Sequence, residues 1–259
     1  MKSSRLVWST AFALLLVGCA SSRPEAPEIP AVVVTRTAQA IKLDGNLDEA
    51  AWKSTPGYEF ARCDNFSNLP KLTAQRIASD AYESAVVKFL YDDQYLYVGC
   101  ALSDSDVIAY GEKDQEHLYR WSDLLEIFLV AEDGGWYWEI YGSPNNRKSS
   151  FFYPGGGMTG VWQCFAPEHL MKDLAVAARV AGTLNDSGDI DKGWNVEIRI
   201  PLKELAAKGI PFAPGKKWRI LAARYNFGAR LNRYQNSTSP SLPAANFHLR
   251  EYYAPVIFR

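Results

Sequence analysis

WSDLLEIFLVAEDGGWYWEIYGSPNNRKSSFFY, residues 121–153, contains the pattern that predicts the fold. Residues 124–130 are apolar at almost every position, and residues 136–141 are aromatic and β-prone. The DGG tripeptide at 133–135 is typical of a tight β-hairpin turn. The sequence therefore predicts two long antiparallel strands, followed by a third strand over residues 147–153.

Glu126 is the charged side chain within the first of these strands. Because side chains alternate between the two faces of a strand, Glu126 shares a face with Leu124 and Phe128. A carboxylate on an otherwise apolar face requires a partner or a function. Trp121 lies five residues upstream. We interpret the pair as a hydrogen-bonding group beside an exposed aromatic ring, an arrangement that suits a sugar.

The composition permits one large domain and excludes two classes of partner. All-β sandwiches of about 200–250 residues commonly form a single unit, and this chain has 259 residues. Its net charge of -1, from 28 basic and 29 acidic residues, provides no field that would attract nucleic acid or an anionic membrane surface. Aromatic residues make up 13% of the chain, and both a β-sheet core and a binding surface use them.

The start of the chain resembles a bacterial lipoprotein signal peptide over residues 1–18. A positively charged beginning is followed by a run of about ten apolar residues, too short to cross ~30 Å of hydrocarbon. The LVGC sequence ending at Cys19 implies cleavage before this residue and lipidation of its thiol. Ala20 rather than Asp follows it, which by analogy with enterobacterial sorting favours the outer membrane. Residues 19–30 are polar and Pro-rich, and predict an extended tether.

Three further stretches resemble family 9 carbohydrate-binding modules. DGNLDEAAW, residues 44–52, is similar to the opening motif of that family, and LYDDQYLYVGCALSDSDV, residues 90–107, is similar to its strand pair before an acidic loop. GWNVEIRIPLKEL, residues 193–205, resembles its late strand leading into a short helix. The resemblance runs from residue 41 to the C-terminus. It implies an all-β fold, a single antiparallel, jelly-roll-like β-sandwich with short helices over residues 31–259.

The same resemblance implies a carbohydrate site. Trp121 matches the ligand-stacking tryptophan of the family and Glu126 its ligand-bonding glutamate, with one residue fewer between them than in the xylanase-borne members. The basic residue that the family carries on the next strand is not matched, because Glu139 lies near that place. Arg147 is the candidate substitute. Capture of a reducing end, which the best-known branch performs, is therefore not assumed.

A second stacking tryptophan, expected in the C-terminal loop, is also absent. Tyr234 and Trp162 are the two candidates to replace it. Amide side chains lie beside these elements, at Asn236 and in the turn that contains Asn145. The predicted carbohydrate-binding residues are Trp121, Glu126, Asn145, Arg147, Trp162, Tyr234 and Asn236.

Asp104, Asp106 and Asp114 lie in the loop before Trp121. Members of the resembled family can hold calcium, and carboxylate and carbonyl oxygens are the ligands that Ca²⁺ prefers. These residues do not follow the EF-hand pattern. A structural calcium site and a set of solvated loop acids are therefore both open.

The cysteine count allows at most one disulfide in the mature chain. With Cys19 lipidated, Cys63, Cys100 and Cys164 remain, which is an odd number in an oxidising compartment. Cys100 ends an apolar strand and is expected to be buried. We therefore prefer a Cys63–Cys164 pair.

Catalysis is the first alternative to binding. Glu126 with Asp123 or Glu139 could form the carboxylate pair of a glycoside hydrolase, whose members lie ~5–9.5 Å apart across the scissile bond. Neighbouring strands bring carboxylates that close by chance, and no Ser-His-Asp context or histidine pair for a metal stands out. We predict that the protein is not an enzyme.

Haem binding is the second alternative, because related sandwich domains hold haem through Met, His or Lys side chains. Met158, Met171 and His169 would be the axial candidates, although the chain has no C-x-x-C-H attachment motif. The interpretation we favour is a lipid-anchored, non-catalytic carbohydrate-binding protein. It would capture plant-type or other glycans for degradation by separately encoded glycoside hydrolases, with a haem-binding or structural envelope lipoprotein as the alternative.

Overall fold

The computed structural model describes residues 28–64, 69–155 and 171–259. Cys19 and the predicted signal peptide lie outside these residues, and so does most of the predicted tether. Three short α-helices are described, and none of them is long and apolar enough to span a membrane. The helices are α1 (Ala50–Ser54), α2 (Lys71–Ala78) and α3 (Leu202–Ala206), with 3₁₀ turns at Leu118–Arg120 and Arg250–Tyr252.

Thirteen β-strands dominate the described part of the chain. They are β1 (Val32–Arg36), β2 (Gly57–Glu59), β3 (Ala61–Arg62), β4 (Ala85–Tyr91), β5 (Tyr95–Leu102), β6 (Leu124–Ala131), β7 (Tyr137–Gly142), β8 (Lys148–Tyr153), β9 (Ala175–Val180), β10 (Trp194–Pro201), β11 (Trp218–Asn226), β12 (Gln235–Ser239) and β13 (Ala254–Phe258).

The strands follow one hydrogen-bonded path in the order β8-β7-β6-β11-β13-β1-β4-β5-β10-β9, with β12 beside β11, β3 beside β12 and β2 beside β4. The path folds back on itself, because Val87 and Val196 from one half share a core with Ile127 and Ile220 from the other half. This arrangement confirms the predicted all-β sandwich. One detail differs from the prediction, since β1 pairs in parallel with both β13 and β4 while the remaining pairings are antiparallel.

The predicted central hairpin is confirmed. β6 pairs with β7 from Leu125 opposite Gly142 to Val130 opposite Tyr137, and β8 pairs with the other edge of β7. All eight residues of β6 are buried. Its odd-numbered side chains enter the core between the layers. Its even-numbered side chains face outward and therefore need a separate cover.

That cover is a second hydrophobic cluster on the outer face of β6, β7, β8 and β11. The segment between β12 and β13 supplies Leu242, Phe247 and Tyr253 to it, and the 3₁₀ turn before β6 supplies Leu118. The hydroxyl of Tyr253 donates to the carbonyl of Phe247, which holds this segment closed. The outer face of the sheet is therefore buried rather than open to solvent.

The DGNLDEAAW motif anchors the start of the chain to β10. Trp52 is fully buried, and its Nε1 donates to Glu197 Oε1 at 3.0 Å. The backbone amides of Asp44 and Gly45 donate to the other oxygen of Glu197 at 2.9 and 2.8 Å. Gly45 has φ +77°, and a Cβ there would lie 2.8 Å from the backbone of Ala178. The turn therefore requires glycine.

Cys63 and Cys100 are free, buried thiols. Burial is the first cause that raises the pKa of Cys63, to about 12, so the thiol stays protonated. Cys164, the partner that we preferred, lies outside the described residues. A disulfide between Cys63 and Cys164 therefore stays a prediction.

Arg224 on β11 is a fully buried cation. Its Nη2 donates to Asp104 Oδ2 at 3.0 Å, to the Ser103 carbonyl at 2.8 Å and to Asn226 Oδ1 at 3.0 Å. Its Nη1 donates to the Glu83 carbonyl at 3.0 Å. Since Arg224 bonds the end of β5 and the segment before β4, it joins the two layers.

We expect Arg224→Ala to lower the free energy of unfolding by about 3–5 kcal/mol, because it leaves the Asp104 carboxylate buried without its ion-pair partner. Urea denaturation followed by circular dichroism measures the change. Arg36→Ala is the matched control, since Arg36 and Asp93 form an ion pair at 2.7 Å with 53% and 82% of their side chains exposed. The control should change stability by less than about 1 kcal/mol. Equal effects of the two substitutions would contradict this role of Arg224.

Candidate functional site

A cavity of about 310 Å³ lies on the outer face of β6, β7, β8 and β11. Glu126 and Glu139 form its acidic part, and most of its wall is aromatic. The Leu118–Arg120 turn closes one side, and the segment before β13 closes the other. The aromatic residues that line the cavity are Tyr119, Phe128, Tyr141, Tyr153, Tyr225 and Phe247.

The strand register places the two acids on one face. Glu126 is opposite Tyr141 and Phe128 is opposite Glu139, so Glu126 and Glu139 are diagonal neighbours on adjacent strands. Glu126 is 2% exposed and Glu139 is 4% exposed. The Tyr141 hydroxyl donates to Glu139 Oε1. Among the described residues, neither Glu126 Oε1 nor Glu139 Oε2 has a hydrogen-bond partner.

Burial makes both acids hold protons more tightly than usual. It raises the pKa of Glu139 to about 7. Burial, followed by the charge of Glu139, raises the pKa of Glu126 well above its usual range. Burial and the two nearby acids also raise the pKa of Tyr141, so its phenol stays protonated. Near neutral pH the pair therefore keeps at least one proton.

Two histidines on the wall of the cavity add little positive charge. Burial, followed by the charge of Arg120, lowers the pKa of His117. Burial, followed by the charge of Arg250, lowers the pKa of His248. Both imidazoles are therefore neutral near pH 7.

An aromatic series runs along the cavity. His117 stacks on Phe151 with ring centres 4.7 Å apart, and it meets Tyr119 at 5.5 Å. Tyr119 stacks on Tyr225 at 5.6 Å, and Tyr225 lies 6.1 Å from Tyr234. These rings supply flat apolar faces beside the two acids.

A second cavity, also about 310 Å³, adjoins the first. The two share Tyr225, Ala245 and Asn246 in their linings, so they are neighbours, and we call the pair the groove. In the second cavity, Asn236 Nδ2 donates to Asp64 Oδ1 at 3.1 Å. Asn236 Oδ1 is buried and has no partner in the described part of the chain. The groove therefore holds an acceptor at this end as well.

A larger depression, about 580 Å³, lies beside β4, β5, β9 and β10. Its lining is mainly small aliphatic and serine residues, with Arg179 and Lys192 as its charged members. Trp194 is the one aromatic residue among the described residues that line it, whereas six aromatic side chains line the first cavity. We prefer the smaller groove because it combines buried acceptors with aromatic faces.

The structure brings three of the predicted binding residues to this groove. Glu126 lines the first cavity, and Tyr234 and Asn236 line the second. Trp121 is 40% exposed, as an open aromatic surface requires, but it lines neither cavity. Trp162 lies outside the described residues.

Asn145 and Arg147 lie apart from the groove, between β7 and β8. Asn145 Nδ2 donates to the Gly111 carbonyl at 2.8 Å, and its Oδ1 accepts from Ser143 Oγ at 2.6 Å. Asn145 therefore ties the Gly111 loop to this turn. A role for Asn145 and Arg147 in ligand binding stays a prediction.

The three predicted calcium ligands do not form a set. Asp104 is paired with Arg224, while Asp106 accepts from Ser187 Oγ at 3.0 Å and Asp114 forms an ion pair with Lys148 at 2.7 Å. Among residues 28–64, 69–155 and 171–259, no group of three or more His, Cys, Asp or Glu side chains could hold a metal ion. The calcium site stays a prediction without support from these contacts.

The residues nominated for other chemistry also have defined positions. Asp123 accepts from the amides of Ile108 and Phe227, both at 2.6 Å, and does not line the groove. It therefore cannot pair with Glu126 there. Met171 is buried in the core between the layers. Met158 and His169 lie outside the described residues.

Glu139, Tyr119 and Tyr225 are among the groove residues that the sequence analysis did not assign to binding. In the sequence, Glu139 lies near the place where the family carries a basic residue. In the structure, Glu139 lies beside Glu126. Tyr225 falls on the same face of β11 as Leu221 and Ala223, and that alternation placed it on the outer face. The sequence could not show that this face borders a cavity.

Comparison with solved structures supports the fold. A family 9 carbohydrate-binding module from Caldicellulosiruptor kristjanssonii in complex with cellotriose has a TM-score of 0.54 and 14% identity, covering 88% of this chain and 93% of that chain. The glucose complex of a family 9 module from the same organism has a TM-score of 0.52 and 14% identity, covering 88% and 95%. A putative carbohydrate-binding protein from Bacteroides uniformis has a TM-score of 0.61 and 11% identity, covering 89% and 99%.

No protein-family model matches the chain, and no curated protein matches it significantly in sequence. The solved structures nevertheless confirm that the chain has a fold like that of the family 9 modules. At these identities the likeness concerns the fold alone.

The raised pKa values of Glu126 and Glu139 predict a pH-dependent stability. The contribution of each acid is fully present below the usual glutamate pKa of about 4.5 and is lost as the pH rises through its raised pKa, which is about 7 for Glu139. We expect the free energy of unfolding of a Glu126→Gln/Glu139→Gln double variant at pH 8 to exceed that of the wild type by on the order of 2 kcal/mol. This difference corresponds to a Tm that is higher by several degrees. At pH 5 the two Tm values should nearly coincide.

Calorimetric melts at pH 5 and pH 8 measure this difference. Asp104 and Asp123 are also buried acids with raised pKa values, but they are present in both proteins and cancel in the comparison. Glu59→Gln, on an exposed position of β2, is the control and should melt like the wild type at both values. A wild type as stable as the double variant at pH 8 would show that the acids are not desolvated.

Proposed function

We propose that this chain binds carbohydrate, without catalysis, in the groove that contains Glu126, Glu139 and Asn236. The observation that carries the proposal is the presence of buried acceptors that have no partner among the described residues, beside a series of aromatic rings. A pyranose offers hydroxyl donors for the acceptors and C–H faces for the rings. Few other neutral ligands satisfy both requirements.

The solved neighbours support this proposal. Two of them are family 9 carbohydrate-binding modules in complex with cellotriose and with glucose. Because the present chain has the same kind of fold, a gluco-configured saccharide is a reasonable first ligand to test. Together, the two neighbouring cavities fit more than one ring.

The expected affinity is modest. Stacking contributes about 0.5–1.5 kcal/mol per ring beyond burial, and a hydrogen bond to a charged group about 1.5–3 kcal/mol. After the cost of ordering the ligand, a binding free energy of about -4 to -8 kcal/mol remains, which corresponds to millimolar to micromolar Kd. Such affinity suits a protein that retains a ligand without consuming it.

The solved neighbours support binding over hydrolysis. Glu126 and Glu139 project from neighbouring strands on the same face of one sheet. Glycoside hydrolases use two carboxyl groups ~5–9.5 Å apart, and neighbouring strands place side chains within that range, so the spacing of the acids does not decide between the two functions. The similar structures in complex with cellotriose and glucose are carbohydrate-binding modules, which supports binding without catalysis.

The proposal includes a location. Residues 1–18 with Cys19 support export and lipid attachment, and residues 19–30 support a tether that holds the domain away from the lipid surface. A tethered binding domain would keep glycans near the bacterial envelope, on the outer membrane, for separately encoded glycoside hydrolases. Globomycin-sensitive processing and palmitate labelling that require Cys19 would test this part.

Isothermal titration with glucose, cellotriose and xylotriose tests carbohydrate binding. We expect Glu126→Gln to weaken the best ligand by about tenfold, because the substitution replaces one acceptor oxygen of the acid with an amide NH₂ group that can only donate. Glu59→Gln should leave the affinity unchanged. Titrations without heat, together with a glycan array on which the folded protein binds nothing, would overturn the proposal.

Tyr234→Ala should reduce the affinity for cellotriose more than that for glucose, by about three- to tenfold in the ratio, because one stacking face in the second cavity is lost. Tyr110→Ala is the control, since Tyr110 is 58% exposed and lines neither cavity. The same titrations measure both ratios. An unchanged ratio in Tyr234→Ala would remove the second cavity from the binding site.

A further inference from the structure

The first cavity has an excess of acidic groups over cations. Glu126 and Glu139 are both at least nine-tenths buried and adjacent to one another. Arg120 is the one permanently charged cation among the described lining residues. Its side chain is exposed at the rim, with Cζ 5.8 Å from the centre of the Tyr119 ring. Buried acids normally have a cation or a full set of donors. This pair has neither within the described residues.

The internal donors are too few for two carboxyl groups. The Tyr141 hydroxyl donates to Glu139, and the Tyr153 hydroxyl also hydrogen-bonds Glu139. Two phenol protons cannot satisfy all four oxygens of two acids. One oxygen of each acid is left without a partner among the described residues. Since neither internal segment outside the description, residues 65–68 and 156–170, contains Lys or Arg in its sequence, neither can supply a permanent cation. A positively charged ligand would complete the pair once it ionises.

The wall of the cavity also favours a cation. Aromatic rings attract an ammonium group through the negative charge of their faces, with a strength that rises when water is excluded. Tyr119, Phe128, Tyr153, Tyr225 and Phe247 line the space beside the acids. Carboxylates together with several aromatic faces are the arrangement that binds ammonium ligands.

We propose that this cavity selects sugars that carry a free, protonated amine, so that an amino sugar is bound in preference to its neutral counterpart. The inference rests on the proposed carbohydrate binding and specifies the ligand class. The ammonium group would occupy the space next to Glu126 and Glu139, while the ring of the sugar packs against the aromatic wall. Binding of the cation stabilises the ionised acids, so a proton held by the pair is released as the ligand binds.

Titration calorimetry with glucose, glucosamine and N-acetylglucosamine, and with 6-amino-6-deoxyglucose and its N-acetyl derivative, tests this selectivity at pH 7. We expect at least one of the free amines to bind about tenfold more tightly than its N-acetyl form and than glucose. Methylammonium should bind far more weakly than the preferred amino sugar, because it lacks the pyranose ring.

The variants assign the selectivity to the acids. Glu126→Gln/Glu139→Gln should bring the ratio of amine to N-acetyl affinity close to one, whereas Glu59→Gln should keep the wild-type ratio. Circular dichroism and a thermal melt show whether the double variant is folded. If it is not, each single glutamine variant is titrated, and each should lower the ratio.

A pH comparison supplies an independent measurement. The amine, with a pKa near that of an α-amino group at about 7.7–8.0, is protonated at both pH 5 and pH 7. The preference should therefore rise between these values as the acids ionise. Tyr141, Tyr225, His117, His248 and Arg120 also face the cavity. The histidines also lose protons between pH 5 and pH 7, and this loss likewise strengthens the preference for the amine. If the acids cause the increase, the double glutamine variant should largely abolish it.

The outcomes separate the two proposals. Equal affinities for glucose and the amino sugars overturn the amine selectivity and leave carbohydrate binding standing. No binding of any saccharide overturns both. Methylammonium binding as tight as that of the amino sugars would show a cavity for amines alone, which contradicts the saccharide assignment. A wild-type preference that persists in the folded double variant places the selectivity outside the acid pair and overturns the inference.

Discussion

The burial of β6 on both of its faces is the constraint on which the rest of the structure depends. Its inner side chains complete the core of the sandwich, and its outer side chains lie under the segment that precedes β13. Glu126 is on the outer face and lines the cavity that this cover leaves. A surface strand with the same sequence would present a hydrated carboxylate with an ordinary pKa. The cover is therefore what converts Glu126 into a desolvated acceptor.

The same cover makes the groove costly to maintain. A buried acid without a partner destabilises the folded protein when it ionises, and two adjacent acids add mutual repulsion. Other buried charged groups have more partners, since the two terminal nitrogens of Arg224 have five acceptors and Glu197 receives three donors. The contrast between these groups and the Glu126–Glu139 pair supports the proposal that an external ligand completes the hydrogen bonding in the cavity.

The fold could be predicted from the sequence because local patterns decide it. The period of two in residues 124–130 correctly placed Glu126 on the same face as Leu124 and Phe128, and the DGG turn correctly paired β6 with β7. The site could be predicted only in part, because its members come together through pairings between distant strands. Tyr225 reaches Glu126 through the register of β11 on β6, with Ala223 opposite Glu126. The parallel pairing of β1 with β13 likewise had no local signal, since it joins residues more than 200 positions apart.

The two ends of the groove differ in chemistry, and this difference bears on how a ligand would lie. The first cavity offers acids that can ionise, whereas the second offers the amide oxygen of Asn236 and the guanidinium of Arg233 beside Tyr234, 5.0 Å from the ring centre. Tyr225 borders both cavities and supplies an apolar wall to each. Stacking on such a wall tolerates either direction of a saccharide chain, because both directions present C–H groups. The orientation must therefore come from the polar groups, and only the end that matches a buried acid can occupy the first cavity.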